Sequence, residues 1–470
     1  MSPNFLPCDR EQGLLLPPSL RDWLPEGHLV WCVLDAVEEL DLVDFYRGYR
    51  ADGLGGAAHE PEMMVALLVY AYAVGVRSAR AIERRCVEDV AFRVISANQT
   101  PDHATIARFR ARHEQAIADL FTGVLGLCAK AGLVKVGLVA VDGTKIAAAA
   151  THHQNRTYRQ IVEEILKEAG EIDAAEDELF GGAHGDELPE GFRTSGERRK
   201  RLHEAKVKLD AERAAKAKKV PRDREQRLAE CRLRLEQDWE LVRRVIADHA
   251  RWFEAGIATD GSRRMNAAKR NIKPYPLPPG PAGKINLTDP DSKNLKVSRG
   301  WVQGYNAQLV VGEGQIALAA EISTENYDAG NLEPMIRTMC AELEAAGVTD
   351  RPGVVLGDAG YWKNDAIQTI VNELHIQTLI APDADKRKGP RPGRRGGLYD
   401  HVRRILATDR GAELYLKRQG MVEPVFGQIK SNRGARRFSR RGRSAVRSEW
   451  RLLAATHNLL KLHQHRLQIA

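Results

Sequence analysis

The hydrophobic rhythm of the chain changes several times, and each change marks an element. Residues 60–76, EPEMMVALLVYAYAVGV, are apolar almost all round, which predicts a central buried helix with Pro61 in its first turn. Three short segments follow: SARAIERRC (78–86), EDVAFRVIS (88–96) and TPDHATIARFRARHEQAIADLF (100–121). In the last, Thr100 is the expected N-cap with Pro101 at the first helical position. Ile106, Phe109 and Ile117 then face inward, while Arg108 and Arg112 share an outer face one turn apart. At about 134 the period shortens: VGLVAVD reads as a strand, and GTKIAAAAT continues it after a Gly turn.

Residues 156–256 return to helical spacing. Leu228, Leu235, Val242 and His249 keep a seven-residue rhythm, with Trp239, Ile246 and Phe253 alongside and Cys231 one residue out of step. This predicts a helical hairpin or arm, broken by GGAHGDELPEG (181–191) and Pro221. Strand signals resume with WVQGYNAQLVVGEGQIALAAEIST (301–324), a hairpin turning near Gly312–Gly314. NLEPMIRTMCAELEAAG (331–347) is an amphipathic helix, VVLGD (354–358) a buried strand, KNDAIQTIVNEL (363–374) a helix and IQTLIAP (376–382) a strand. Residues 383–398 form a Gly/Pro/Arg loop, and 444–467 a last amphipathic helix. The expected class is α/β: a mixed sheet flanked by helices, with an all-α N-terminal domain and a long helical insertion after the first strand.

Composition sharpens this picture through charge. Of 470 residues, 71 are Lys or Arg and 63 Asp or Glu, and the excess is local. Between Lys386 and Arg451 there are 20 Lys/Arg against 5 Asp/Glu, the footprint of a polyanion partner. Short helices ending in the Arg108 and Arg112 ridge suggest a helix-turn-helix arrangement, a plain bundle with solvated arginines being the alternative. The six cysteines form no CxxC pair and no Cys/His cluster, which argues against a zinc finger and a secreted disulfide framework. The N-terminus lacks a signal-peptide layout, and the longest uncharged apolar run, Met63 to Val76, is 14 residues, too short for a bilayer. A cytoplasmic protein is expected.

Three acidic residues stand in settings that suit a metal-bound carboxylate. Asp142 in VGLVAVDGTKI and Asp358 in PGVVLGDAGYW end aliphatic runs, where an open α/β sheet places its chemistry. Gly143, Gly357 and Gly360 remove bulk beside them. Glu423 lies in YLKRQGMVEPVFGQIK (415–430), and Pro424 places it in the first turn of a helix starting close to Gly420. That frame lines Glu423, Phe426 or Gly427, and Lys430 along one stripe. Tyr415 and Arg418 add an aromatic hydrogen bonder and a phosphate fork. Arg433, Arg436, Arg437, Arg440 and Arg441 form a tract that grips phosphates, with Phe438 as a stacking or wedge residue. His152–His153, Asp289, Asp291 and Trp362 are weaker candidates, explained as well by turns or packing.

Together these motifs resemble the DDE transposases of bacterial insertion sequences, in the group marked by a Tyr, Arg, Glu, Lys signature. VAVDGTKI resembles the first-acid strand, GDAGYW the second-acid motif and YLKRQGMVEPVFGQIKSNRGARRF the third-acid helix. LLLPPSLRDWLPEGHLV (14–30) and TPDHATIARFRARH (100–113) resemble the N-terminal region of that family, and NLTDPDSKNLK (286–296) and GYNAQLVV (304–311) the segments after its insertion. One departure is that Arg418 and Glu423 are separated by four residues instead of three.

The resemblance implies an RNase-H-like catalytic domain interrupted by the insertion: 1–130 a helical DNA-binding domain, 131–155 the first catalytic part, 156–285 the insertion, and 286–470 the remainder. It implies two Mg²⁺ ions, or Mn²⁺, on Asp142, Asp358 and Glu423. DNA-binding roles fall to Tyr415, Arg418, Lys430, Arg433, Arg436, Arg437, Arg440, Arg441, Arg108 and Arg112. The implied partners are double-stranded DNA, both transposon ends and target, and a second copy of the chain in a homodimer. A domesticated nuclease of the same fold, or a non-catalytic DNA-binding protein, is the rival reading.

Overall fold

The computed structural model describes residues 19–47, 49, 58–180, 223–255, 276–278, 280–297, 300–383 and 394–469. The predicted breaks at 181–191 and Pro221, and the loop over 384–393, lie outside the described residues. Two compact units emerge, one formed by Met1–Thr144, Asn306–Ser439 and Ser444–Ala470, the other by Lys145–Tyr305 and Arg440–Arg443.

The first unit begins with helices α1 (Leu29–Glu38), α2 (Val43–Tyr46), α3 (Pro61–Ala73), α4 (Ala79–Glu88), α5 (Val90–Ile95), α6 (His103–Arg112) and α7 (Glu114–Lys130). In α3 every side chain from Met64 to Ala73 is buried, as its all-round apolar pattern requires. The cap of α6 differs from expectation: Asp102, not Thr100, precedes the helix. Its carboxylate accepts from both the Thr105 N–H and the Thr105 hydroxyl, each at 2.8 Å, two bonds where a threonine hydroxyl offers one. Pro101 therefore stays outside the helix.

The strands of this unit are β1 (Leu138–Ala147), which runs on into the second unit, the later part of β5 (Gly300–Gly312), then β6 (Ala317–Ser323), β7 (Val354–Gly357) and β8 (Gln377–Ile380). β5 lies between β6 and β1, and β1, β7 and β8 follow in order. β5 and β6 are antiparallel, while β1–β7 and β7–β8 are parallel, so the sheet is mixed. No turn interrupts β1 at Gly143, contrary to the sequence pattern. Gly143 stays extended because its missing Cβ leaves room for the Gln308 and Asn306 side chains of β5.

Helices α10 (Leu332–Ala345), α11 (Asn364–Asn372), α12 (Gly397–Leu406), α13 (Asp409–Gly427) and α14 (Arg443–Ile469) complete the unit. On α14 nearly every residue from Ala445 to Leu459 is buried. Trp450 donates its indole N–H to the Gln308 carbonyl at 3.0 Å, and Asn458 exchanges two hydrogen bonds with the Ala317 backbone. This long helix is thereby pinned to the sheet.

The second unit contains α8 (Tyr158–Phe180) and α9 (Arg224–Ala255), the short pair β2 (Asn155–Arg156) and β3 (Ile285–Asn286), and β4 (Lys293–Val297), which pairs antiparallel with the start of β5. Leu228 and Leu235 of the heptad series, with Cys231, bury against Ile161, Ile285 and Leu287. The seam does not continue: Val242 is 41% exposed. Asp289 accepts from the Tyr305 hydroxyl at 2.8 Å and the Gly442 N–H at 3.2 Å, and Asp291 from the Arg443 N–H at 2.7 Å. Both aspartates thus serve the fold. No helix among the described residues is long and apolar enough to cross a membrane.

Candidate active site

The parallel register of β1 and β7 places the first two acids side by side. The last paired residues are Ala140 and Leu356, and Asp142 and Asp358 each lie two positions further on. With a side-chain period of two, both carboxylates project from the same face. Asp142 is therefore not at a strand end. It sits within β1 at the point where its neighbour β7 stops, so one side of the strand is open there.

Each carboxylate is held by a local amide: Gly143 N–H donates to Asp142 Oδ1 at 2.7 Å, and Gly360 N–H to Asp358 Oδ1 at 2.8 Å. Burial and the neighbouring Asp358 charge push the Asp142 carboxyl up to about 6. Arg418 opposes this shift, donating Nη1–H to Asp142 Oδ2 at 3.3 Å. The Arg418 side chain is 8% exposed, its Nε is buried without a hydrogen-bond partner, and its guanidinium lies 5.6 Å from the Tyr415 ring centre. Lys430 reaches Thr144 Oγ1 at 2.8 Å, and burial lowers its proton affinity. Arg418 and Lys430 thus flank the Asp142 segment with two cations.

A third carboxylate, Asp328, was not foreseen. Asn306 and Gln308, two residues apart on β5, donate to its Oδ1 at 2.7 and 2.9 Å. Gln308 also accepts from the Tyr361 hydroxyl, and Tyr361 is fully buried, its phenol held protonated by burial and by the charges of Asp328, Asp142 and Asp358. The available signal was GYNAQLVV, where polar residues occupy alternate positions of an otherwise apolar strand.

The third-acid helix differs from expectation. α13 starts at Asp409, capped by Thr408, and Pro424 is inside it instead of in its first turn. Pro424 cannot donate to the Gly420 carbonyl, and Gln315 Nε2 does so in its place at 3.0 Å. That substitute donor lets the helix run through the proline, and a π-helical turn, Gln428–Asn432, carries Lys430. α13 packs against β7, and Glu423 is exposed on it. No three His, Cys, Asp or Glu side chains among the described residues are gathered closely enough to hold a metal ion.

The basic candidates separate by burial. Arg433 is 5% exposed and donates to Thr456 Oγ1 at 2.6 Å and the Leu453 carbonyl at 3.1 Å, with its proton affinity lowered to about 10 by burial. It is a core arginine and leaves the DNA-contact set. Phe438 is also buried, edge-on to Trp450 at 6.5 Å, so it is no wedge. Arg436, Arg437 and Arg441 are exposed and Arg440 partly so. Arg108 is exposed on α6, and Arg112 lies over Tyr49 at 4.9 Å, while Arg110 between them is buried and donates to Tyr72 and the Arg77 carbonyl. Trp362 stacks on Tyr399 at 4.9 Å, so it packs. His152 and His153 are exposed on a short 3-10 turn.

Two family models match the chain: Transposase domain (DUF772) over residues 18–112, and Transposase DDE domain over residues 396–463. The second spans Tyr415, Arg418, Glu423 and Lys430. Both matches support a DDE transposase of an insertion sequence. It is an enzyme that acts on DNA. No curated protein and no solved structure matches it.

For a transposase of this kind the donor set can be tested against a divalent cation. Asp142 and Asp358 are hard oxygen donors in register, and the upward shift of the Asp142 carboxyl marks a cost that a cation would remove. Mg²⁺ typically takes only one or two protein carboxylates and keeps several waters, so this pair fits one ion.

Proposed function

We propose that the chain binds the terminal inverted repeats of its insertion sequence as a homodimer, hydrolyses a strand at each end, and joins the freed 3′-OH to target DNA. The observation that carries this reading is the register of Asp142 and Asp358 in a chain matched by two transposase families. The mixed sheet with its helical insertion supports an RNase-H-like core. We retain residues 1–130 as the DNA-binding part, 131–155 and 286–470 as catalytic, and 156–285 as the insertion.

Asp142 and Asp358 would hold divalent ions, Mg²⁺ or Mn²⁺, with Glu423 as the third acid assigned by its motif. Such ions, when bound, lower the pKa of a water or 3′-OH nucleophile and stabilise charge on phosphoryl oxygens. The protein's own groups do the rest. Arg418 and Lys430 present cations beside Asp142 to orient a scissile phosphate, and the unpaired Arg418 Nε–H is a donor suited to a phosphate oxygen. Tyr415 lies against that guanidinium and limits its freedom. Arg436, Arg437, Arg440 and Arg441, with Arg108 and Arg112, grip the DNA backbone without reading sequence.

The test is incubation of the full chain with duplex DNA carrying the element's ends, in Mg²⁺. Nicked ends that then appear joined to a second duplex are the expected products. Cutting without joining would indicate a nuclease of the same fold, and binding without cutting a DNA-binding protein.

A further inference from the structure

Two glycines follow the paired acids, and one residue occupies the space above both. A Cβ on Gly143 would stand 3.0 Å from Asp328 Oδ1, and a Cβ on Gly360 would stand 3.7 Å from Asp328 Oδ2 and 2.9 Å from Asp358 Oδ1. The two carboxylate oxygens of Asp328 therefore face the Asp142 segment and the Asp358 segment respectively. The orientation is determined: Asn306 Nδ2 and Gln308 Nε2 both donate to Oδ1, which turns Oδ2 toward Gly360.

Asn306 supplies an independent observation. The residue is completely buried, and its Nδ2 donates to Asp328 and to the Glu325 carbonyl, which fixes the amide's direction. Its Oδ1 then points at the space beside Gly143, 2.9 Å from where a Cβ would be, and has no hydrogen-bond partner. A buried acceptor without a partner costs about 1–3 kcal/mol, and it is tolerated where something else supplies the donor. A water of a cation's hydration shell is such a donor.

We propose that Asp328, oriented by Asn306 and Gln308, is a positioning residue of the Asp142–Asp358 site. It sets the spacing of the two acid-bearing segments and adds the third negative charge felt by a divalent cation there. This rests on the reading of Asp142 and Asp358 as cation ligands, and it assigns a role to an acid outside the three of the family motif.

The experiment is Mn²⁺ binding to the full chain followed by electron paramagnetic resonance, without DNA, for wild type and for Asp142→Asn, Asp328→Asn, Asp328→Glu and Asn306→Ala. A charge lost at this range in a partly buried site should weaken Mn²⁺ binding about tenfold in Asp328→Asn. Asp328→Glu should recover most of it, and Asn306→Ala, which keeps the charge but loosens its carboxylate, should lose about threefold. Unchanged Mn²⁺ affinity in a folded Asp328→Asn, with binding lost in Asp142→Asn, would overturn this role alone. Unchanged affinity in Asp142→Asn would overturn the cation-site reading itself. Should Asp328→Asn not fold, Asn306→Ala decides: wild-type Mn²⁺ affinity there contradicts the proposal.

Discussion

Arg418 and Asp142 form an ion pair across 276 residues of chain, Nη1 to Oδ2 at 3.3 Å. The pair joins α13 to β1, and Arg418 is the charge that opposes the upward shift of the Asp142 carboxyl. Replacing Arg418 by Gln should therefore raise the Asp142 proton affinity further. The acid limb of the strand-cleavage pH profile is expected to move to higher pH by about one unit, with a drop in rate. A limb that stays in place would remove Arg418 from the electrostatics of the site.

The Asp142 carboxyl also links stability to pH. Its ordinary value is 3.8 and its folded value about 6, so the folded protein binds that proton more tightly. The stability this group contributes is fully present below pH 4 and is lost as pH rises through about 6, to the extent of roughly 3 kcal/mol. Without divalent cation, Asp142→Asn should melt a few degrees above wild type near neutral pH, with the gap closing toward about pH 4. Thermal melts at the two pH values check this, and an equal gap at both would contradict it.

Within the chain the basic tract should divide into two behaviours. Neutralising the exposed Arg436 and Arg437 is expected to weaken DNA binding uniformly and reduce the salt slope by about two, without changing the melting temperature. Arg433→Met should instead act on the fold, because its guanidinium holds Thr456 and the Leu453 carbonyl. Salt-dependent binding and melting of the two variants give the comparison.

Gln315 is expected to matter for a helix it does not belong to. Its side chain donates to the Gly420 carbonyl that Pro424 leaves without a partner. Gln315→Ala should cost about 1 kcal/mol and raise amide exchange around residues 420–427. Exchange unchanged there would show that the proline is accommodated otherwise.

The elements were legible because strand-forming apolar runs are local signals, and the same runs drew attention to Asp142 and Asp358. What those runs could not show is pairing. β1 continues through Asp142 because β5, not β7, accompanies it, and a gap in one neighbour leaves no mark on the strand's own residues. Pro424 misplaced the start of α13 for a similar reason: its rescue comes from Gln315, 105 residues before the Gly420 carbonyl it satisfies. Asp328 sits in the turn sequence ENYDAGN, where an aspartate ordinarily reads as a turn former. Only Asn306 and Gln308, brought over it by β5, give it a place at the site. Arg433 and Phe438 looked like surface residues because composition assigns a whole tract one sign, while burial is decided residue by residue.

The central claim is that Asp142 and Asp358 jointly hold a divalent cation that supports cutting of DNA. Metal-specificity rescue tests it most directly. Asp142→Cys and Asp358→Cys are each assayed for strand cleavage in Mg²⁺ and in the more thiophilic Mn²⁺, with DNA binding measured alongside. The account predicts intact DNA binding, loss of cleavage in Mg²⁺, and partial recovery in Mn²⁺ for both variants. Full cleavage by either variant in Mg²⁺ would contradict it.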